Sequence, residues 1–167
     1  MSTPLVVLIG PPGAGKSTVG RALAERRGVA FRDTDLDVET SSGQAVADIF
    51  IESGEAAFRS LERDAVAAAL DEHDGVLAVG GGAVLDPDTR DRLAGKRVVF
   101  LDVGLSAAVD RTGLNQARPL LAVPNPRSTL KHMLDERRPI YEELATAVVL
   151  TDGQSVDQVV DQVEAAL

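Results

Sequence analysis

The chain has 167 residues, no cysteine, and 26 acidic against 17 basic side chains, for a formal net charge of −9. The length suits one domain with a real core, and the negative charge opposes unspecific binding to nucleic acid or anionic membrane surfaces. Without cysteine there are no disulfides, thiolate metal sites or thiol catalysis, and no apolar run approaches the ~20 residues that span a bilayer, so a cytoplasmic protein is expected.

The first element is the apolar run Leu5–Ile9, read as a strand. It leads directly into Gly10-Pro11-Pro12-Gly13-Ala14-Gly15-Lys16-Ser17-Thr18, which fits G-x-x-x-x-G-K-[ST], a P-loop. A phosphate chain needs backbone N–H groups on all sides, and glycines at 10, 13 and 15 remove side chains that would block their approach. The helix opening near Lys16 turns unpaired N–H groups and its positive dipole end to the anion. Lys16 can reach the β- and γ-phosphates and Ser17 can offer its hydroxyl to Mg²⁺.

Helix formers fill Lys16–Arg27, and Gly28 is placed to end that helix. A short strand, Val29–Phe31, runs to Asp33-Thr34-Asp35, and helical pieces follow over 36–42, 45–53 and 55–70, separated by Gly43 and Gly54. In extended backbone Asp33 and Asp35 project to one side. If this strand neighbours the P-loop strand, one carboxylate can hold Mg²⁺ through water and the other can receive a hydroxyl proton; capping of the next helix is the alternative.

Val76–Val79 reads as a doubly covered parallel strand running into Gly80-Gly81-Gly82, where either a bound substrate or a plain turn explains the lack of side chains. A short helix over 87–94 follows, with Asp86 as N-cap, and then a strand over Val98–Leu101. Asp102 at its end has the Walker-B pattern and competes with Asp33 for the magnesium role. A short helix over 106–111 precedes an aperiodic stretch, 112–126, of the length and composition of a lid. A helical pattern over 127–144 is interrupted at Pro139; a strand, Val148–Leu150, and a helix, 156–167, complete the chain. The alternation demands a parallel α/β sandwich. His73 and His132, in charged helical stretches, are expected to be solvated.

Taken in order, the P-loop, Asp33-Thr34-Asp35, Phe58-Arg59-x-x-Glu62, Gly80-Gly81-Gly82, Arg118-Pro119-Leu120-Leu121 and Arg137-x-Pro139-x-Tyr141 resemble shikimate kinase over nearly the whole chain. The resemblance implies an α/β, three-layer P-loop kinase fold in one domain, 1–167. Its five-stranded parallel sheet has the order 2-3-1-4-5, with a substrate-binding lobe at about 34–62 and a lid at about 113–125. It implies transfer of the γ-phosphoryl of ATP to the 3-hydroxyl of shikimate, with Mg²⁺ as cofactor, by a monomer.

By the same resemblance, Asp35, Lys16 and Arg118 carry catalysis. ATP meets Gly13, Ala14, Gly15, Lys16, Ser17, Thr18, Arg111, Arg118 and, in a loop over adenine, Gln154. Shikimate meets Asp35, Arg59, Arg137 and the glycines Gly80, Gly81 and Gly82, with Glu62 steadying Arg59. Phe50, Phe58, Pro119 and Leu120 form apolar walls, and Ser17 and Asp33 form the metal site. A gluconate kinase-like enzyme and a non-catalytic nucleotide-binding regulator are the alternatives.

Overall fold

A computed structural model of the chain describes residues 3–112 and 125–167. Five parallel strands form one sheet: β1 (Val6–Ile9), β2 (Phe31–Asp33), β3 (Val76–Ala78), β4 (Val98–Asp102) and β5 (Ala147–Leu150), in the order β2-β3-β1-β4-β5. β1, β3 and most of β4 are buried on both faces. That is why they are uninterrupted aliphatic runs instead of alternating ones.

The helices are α1 (Lys16–Arg27), α2 (Thr34–Ser42), α3 (Val46–Glu72), α4 (Pro87–Leu93), α5 (Leu105–Thr112), α6 (Pro126–Leu144) and α7 (Val156–Ala165). One core cluster packs α1, α5, α6 and α7 against the sheet through residues such as Leu8, Leu23, Leu130 and Val160. Another, with Ile9, Val66, Leu77 and Phe100, packs α3 and α4 on the opposite face. The fully buried Leu and Ile side chains each contribute roughly 1.5–3 kcal/mol by leaving water. None of the described helices is long and apolar enough to cross a membrane.

The local signals act as expected at most ends. Gly28 closes α1 in the left-handed region at φ 66°, and Asp86 caps α4 by accepting from the N–H of Asp88 and Thr89. Gly54, at φ 86° and ψ 170°, breaks α3 internally, so Val46–Glu72 is two helices end to end. Two expectations need correction. α6 continues through Pro139, although the proline removes one N–H from its ladder. His73 is buried, its Nε2 3.0 Å from the Val76 carbonyl oxygen, where it ties the end of α3 to β3. The strand order is the one the resemblance implies, so β3 lies between β2 and the P-loop strand.

Candidate active site

The P-loop joins β1 to α1, with Gly10, Gly13 and Gly15 at φ 148°, 83° and 90°, a backbone path that side-chain-bearing residues resist. Lys16 is buried, and its Nζ donates to the carbonyls of Gly10 at 2.7 Å and Pro11 at 3.1 Å. The ammonium is thereby held across the loop that precedes its own helix.

Asp33 reaches this loop although β2 is one strand removed. A side chain on Gly20, one turn into α1, would overlap the Phe31 ring, so α1 lies close against β2. Ser17 Oγ then donates to Asp33 Oδ2 at 2.7 Å. The other Asp33 oxygen accepts from the Asp35 N–H at 2.9 Å, making Asp33 the N-cap of α2. The helix begins at Thr34, so Asp35 sits in a first helical turn and not on an extended strand. Both carboxylates nevertheless line one cavity with Gly13, Lys16, Ser17 and Thr18, which will be called the phosphate cradle.

Pro12 lines the cradle and also a second cavity, the acid pocket. Arg59 and Glu62 enter it from α3, Arg137 from α6, and the backbone of Gly81 and Gly82 from the loop after β3. Phe50 and Phe58, their rings 4.8 Å apart, form its apolar wall with Val46 and Met133. Arg59 Nη1 donates to Glu62 Oε1 at 2.8 Å, and Nη2 to Glu55 at 3.3 Å. Burial pushes the Glu62 carboxyl above the usual carboxylate range, while the charge and hydrogen bond of Arg59 work against that rise. Arg137 is 7 % exposed.

The three glycines are explained by space. An added Cβ at Gly82 would overlap the Arg59 guanidinium, and one at Gly80 would lie 2.6 Å from Glu62 Oε2 and 2.7 Å from Asp35 Oδ1. At Gly81 it would come within 3.0 Å of Pro12 Cδ. The glycines form a turn, with the Ala83 N–H donating to the Gly80 carbonyl at 3.0 Å, and the volume their Cβ atoms would fill is taken by site side chains and the P-loop.

A third cavity flanks the P-loop on the other side, lined by Ala14, Gly15, Thr18, Arg111, Thr151 and Gln154 among others. Arg111 donates to the Gly13 carbonyl at 3.1 Å and to Thr151 Oγ1 at 2.8 Å, so α5 is tied to both edges of this cavity. Asp152, one residue on, accepts from the Gly104 N–H at 3.0 Å, just before α5 begins. Gln154 spends its amide on the Leu150 carbonyl and accepts from Gln162.

Asp102, the rival metal residue, is instead ion-paired with Arg138 at 2.7 Å and lines neither the cradle nor the cavity of Gln154. Arg118, Pro119 and Leu120 lie outside the described residues, as does all of the expected lid but Asn125.

The family model for shikimate kinase matches residues 12–167. The chain belongs to the shikimate kinase family. A shikimate kinase of Streptomyces coelicolor is 60% identical over 159 residues, which is 95% of this chain and 92% of that protein. One of Salinispora arenicola is 60% identical over 98% of both chains. The solved structure of an Acinetobacter baumannii shikimate kinase in complex with shikimate superposes with a TM-score of 0.93 at 34% identity, covering 98% of this chain and 92% of that one. The gluconate kinase-like reading is thereby set aside.

Within this shikimate kinase fold, sequence reasoning passed over several contributors. Thr34 Oγ1 accepts from the Gly80 N–H at 3.2 Å, joining the end of β2 to the glycine loop. Tyr141, quoted only as part of a motif, donates to the Gly81 carbonyl at 2.5 Å. Burial pushes its hydroxyl up to about 12, against the lowering effect of Arg137, so it keeps its proton at ordinary pH. Its place in Arg137-x-Pro139-x-Tyr141, one turn past Arg137, was the available signal. Val46 and Met133 carried none beyond being apolar.

Proposed function

We propose that this chain phosphorylates shikimate, passing the γ-phosphoryl of ATP to the 3-hydroxyl to give shikimate 3-phosphate and ADP, on the route to chorismate and aromatic amino acids. The observation that carries this reading is the juxtaposition of the acid pocket, with its half-buried Arg59 and buried Arg137, and the phosphate cradle, with Pro12 common to both. Shikimate has one carboxylate, three hydroxyls and a small ring, which call for a cationic clamp, hydroxyl acceptors and an apolar wall. Guanidinium groups suit the carboxylate because they bind it through two parallel hydrogen bonds.

In this reading Arg59, oriented by Glu62, and Arg137 hold the carboxylate, and Gly81 and Asp35 meet the hydroxyls. The 3-hydroxyl oxygen forms its bond to the γ-phosphorus while the bond to the β-phosphate bridging oxygen breaks, and Asp35 accepts the hydroxyl proton. Lys16 moves from the loop carbonyls to the β- and γ-phosphates, meeting charge that spreads over the transferring group. Arg118 from the lid supplies a second cation there, and Pro119 and Leu120 close the wall. Arg111 and Gln154 flank adenine.

Ser17 and Asp33 fit a hard divalent cation, because their hydroxyl and carboxylate already converge at 2.7 Å beside the phosphate-binding N–H groups. Ser17 and Asp33 would hold such an ion, here Mg²⁺, which would supply charge neutralisation to the nucleotide phosphates. We take the protein to be a single-domain cytoplasmic monomer with no nucleic-acid or membrane partner.

The test is ADP release from Mg·ATP with shikimate, gluconate, a nucleoside monophosphate or no acceptor in parallel. Release with shikimate alone is expected. Release only with another acceptor would overturn the substrate, and tight ATP binding without turnover would restore the regulator reading.

A further inference from the structure

Tyr141 is a buried hydrogen-bonding side chain to which the proposed reaction gives no part. It is 1% exposed, and its ring packs on Phe100 with centroids 4.9 Å apart. Its hydroxyl donates across 60 residues of sequence to the carbonyl of Gly81.

A trans peptide points its carbonyl and its N–H in opposite directions, and none of the described peptide bonds is cis. The Gly81 carbonyl faces Tyr141 in the core, so the Gly82 N–H of the same peptide faces away from it. Gly81 and Gly82 both line the acid pocket. Glycine peptides lack the steric limits that would fix such a plane unaided. Arg137 lies one turn earlier on α6, and its charge opposes the upward push of burial on the Tyr141 hydroxyl. The geometric tie of that hydroxyl is to the main chain of the pocket, through the Gly81 carbonyl.

We infer, on the basis of the shikimate kinase reading, that Tyr141 is a positioning residue for the acid substrate, locking the Gly81–Gly82 peptide in its substrate-facing orientation. It lines neither the phosphate cradle nor the cavity of Gln154, so its effect falls on one substrate only. The two glycines are free of Cβ because Arg59 and Pro12 need the space, and Tyr141 restores the rigidity that this freedom removes.

The test is Tyr141→Phe, which deletes one oxygen and keeps the ring. The KM for shikimate should rise about tenfold, the size of a lost buried hydrogen bond, with the KM for ATP unchanged. Phe100→Leu thins the same packing without touching the hydroxyl, and should lower the melting temperature without separating the two KM values. An unchanged KM for shikimate in Tyr141→Phe would overturn the inference, as would the same split in Phe100→Leu.

Tyr141 is the chain's only tyrosine, so growth on 3-fluorotyrosine labels this site alone even if the Phe variant fails to fold. The fluorine resonance should shift on saturation with shikimate and stay in place with ADP; a resonance indifferent to shikimate would count against the inference. A wild-type protein that turns over ATP with another acceptor, but not with shikimate, would sink the functional reading instead, so the two failures are distinguishable.

Discussion

The phosphate cradle takes its P-loop part from one continuous stretch, Gly10–Thr18, and works through main-chain geometry, whereas the acid pocket gathers side chains from α3, α6 and the glycine loop. Each is anchored accordingly. Positive φ angles at three glycines set the first. Charge pairs and close contacts between distant elements set the second, as with Arg59 on Glu62 and the Arg59 guanidinium beside Gly82. The cradle is specified locally and the pocket only once the sheet has assembled. Damage to the former should therefore strike turnover with any acceptor, and damage to the latter should strike one substrate.

The sharpest probe of that division is Asp35, which lines the cradle but in the proposed reaction serves the acceptor. Asp35→Asn should lower kcat by on the order of 10²–10⁴, the usual contribution of a positioned base, while nucleotide affinity by calorimetry stays as it was. Equal losses in kcat and in ATP affinity would merge the two regions.

Arg137→Ala comes next, with shikimate binding weakened by roughly 2–5 kcal/mol because a desolvated charge pair is lost. An unaltered KM for shikimate in steady-state assays would remove Arg137 from the clamp. Gly82→Ala should act in the same direction and less severely, since φ −95° suits alanine and only the Arg59 guanidinium must yield. Overpacking of this kind costs about 1–3 kcal/mol. A crystal structure of the variant with Arg59 unmoved would refute the spatial account of the glycines.

Glu62→Gln should have the smallest effect on stability and a revealing pH dependence. The Glu62 carboxyl is raised by burial, so its folded form favours the proton more than the unfolded chain does. That preference stabilises the protein at low pH and fades as pH rises through the raised value. Melting curves of wild type should thus lose ground relative to Glu62→Gln as pH rises from the carboxylate range toward neutrality. The opposite trend would mean that Arg59 outweighs the desolvation.

What could be read from the chain follows the same division. The P-loop, the alternating elements and most caps depend on neighbours in sequence, and Gly28 and Asp86 ended or began helices where expected. The strand order and the pairing of Arg59 with Arg137 came from the resemblance, because no local pattern states which strands meet. Asp35 illustrates the limit: extended geometry put it beside Asp33 for the wrong reason, since a cap formed by Asp33 starts α2 at Thr34, two residues earlier than expected. Asp102 shows it again. An acid ending an apolar strand can serve a metal or an arginine, and Arg138, which decides between them, is 36 residues away.

Among the described residues, the ionisable groups lining the acid pocket are Arg59, Arg137 and Glu62. With Glu62 ionised against Arg59, they sum to a single positive charge in a chain whose total is −9. One ligand carboxylate brings that enclosure to neutrality. An amide in its place leaves a cation unmatched in low dielectric, and a second carboxylate introduces an unmatched anion, each at a cost of several kcal/mol. Selection for a monoacid in this pocket is then a matter of electroneutrality as much as of shape.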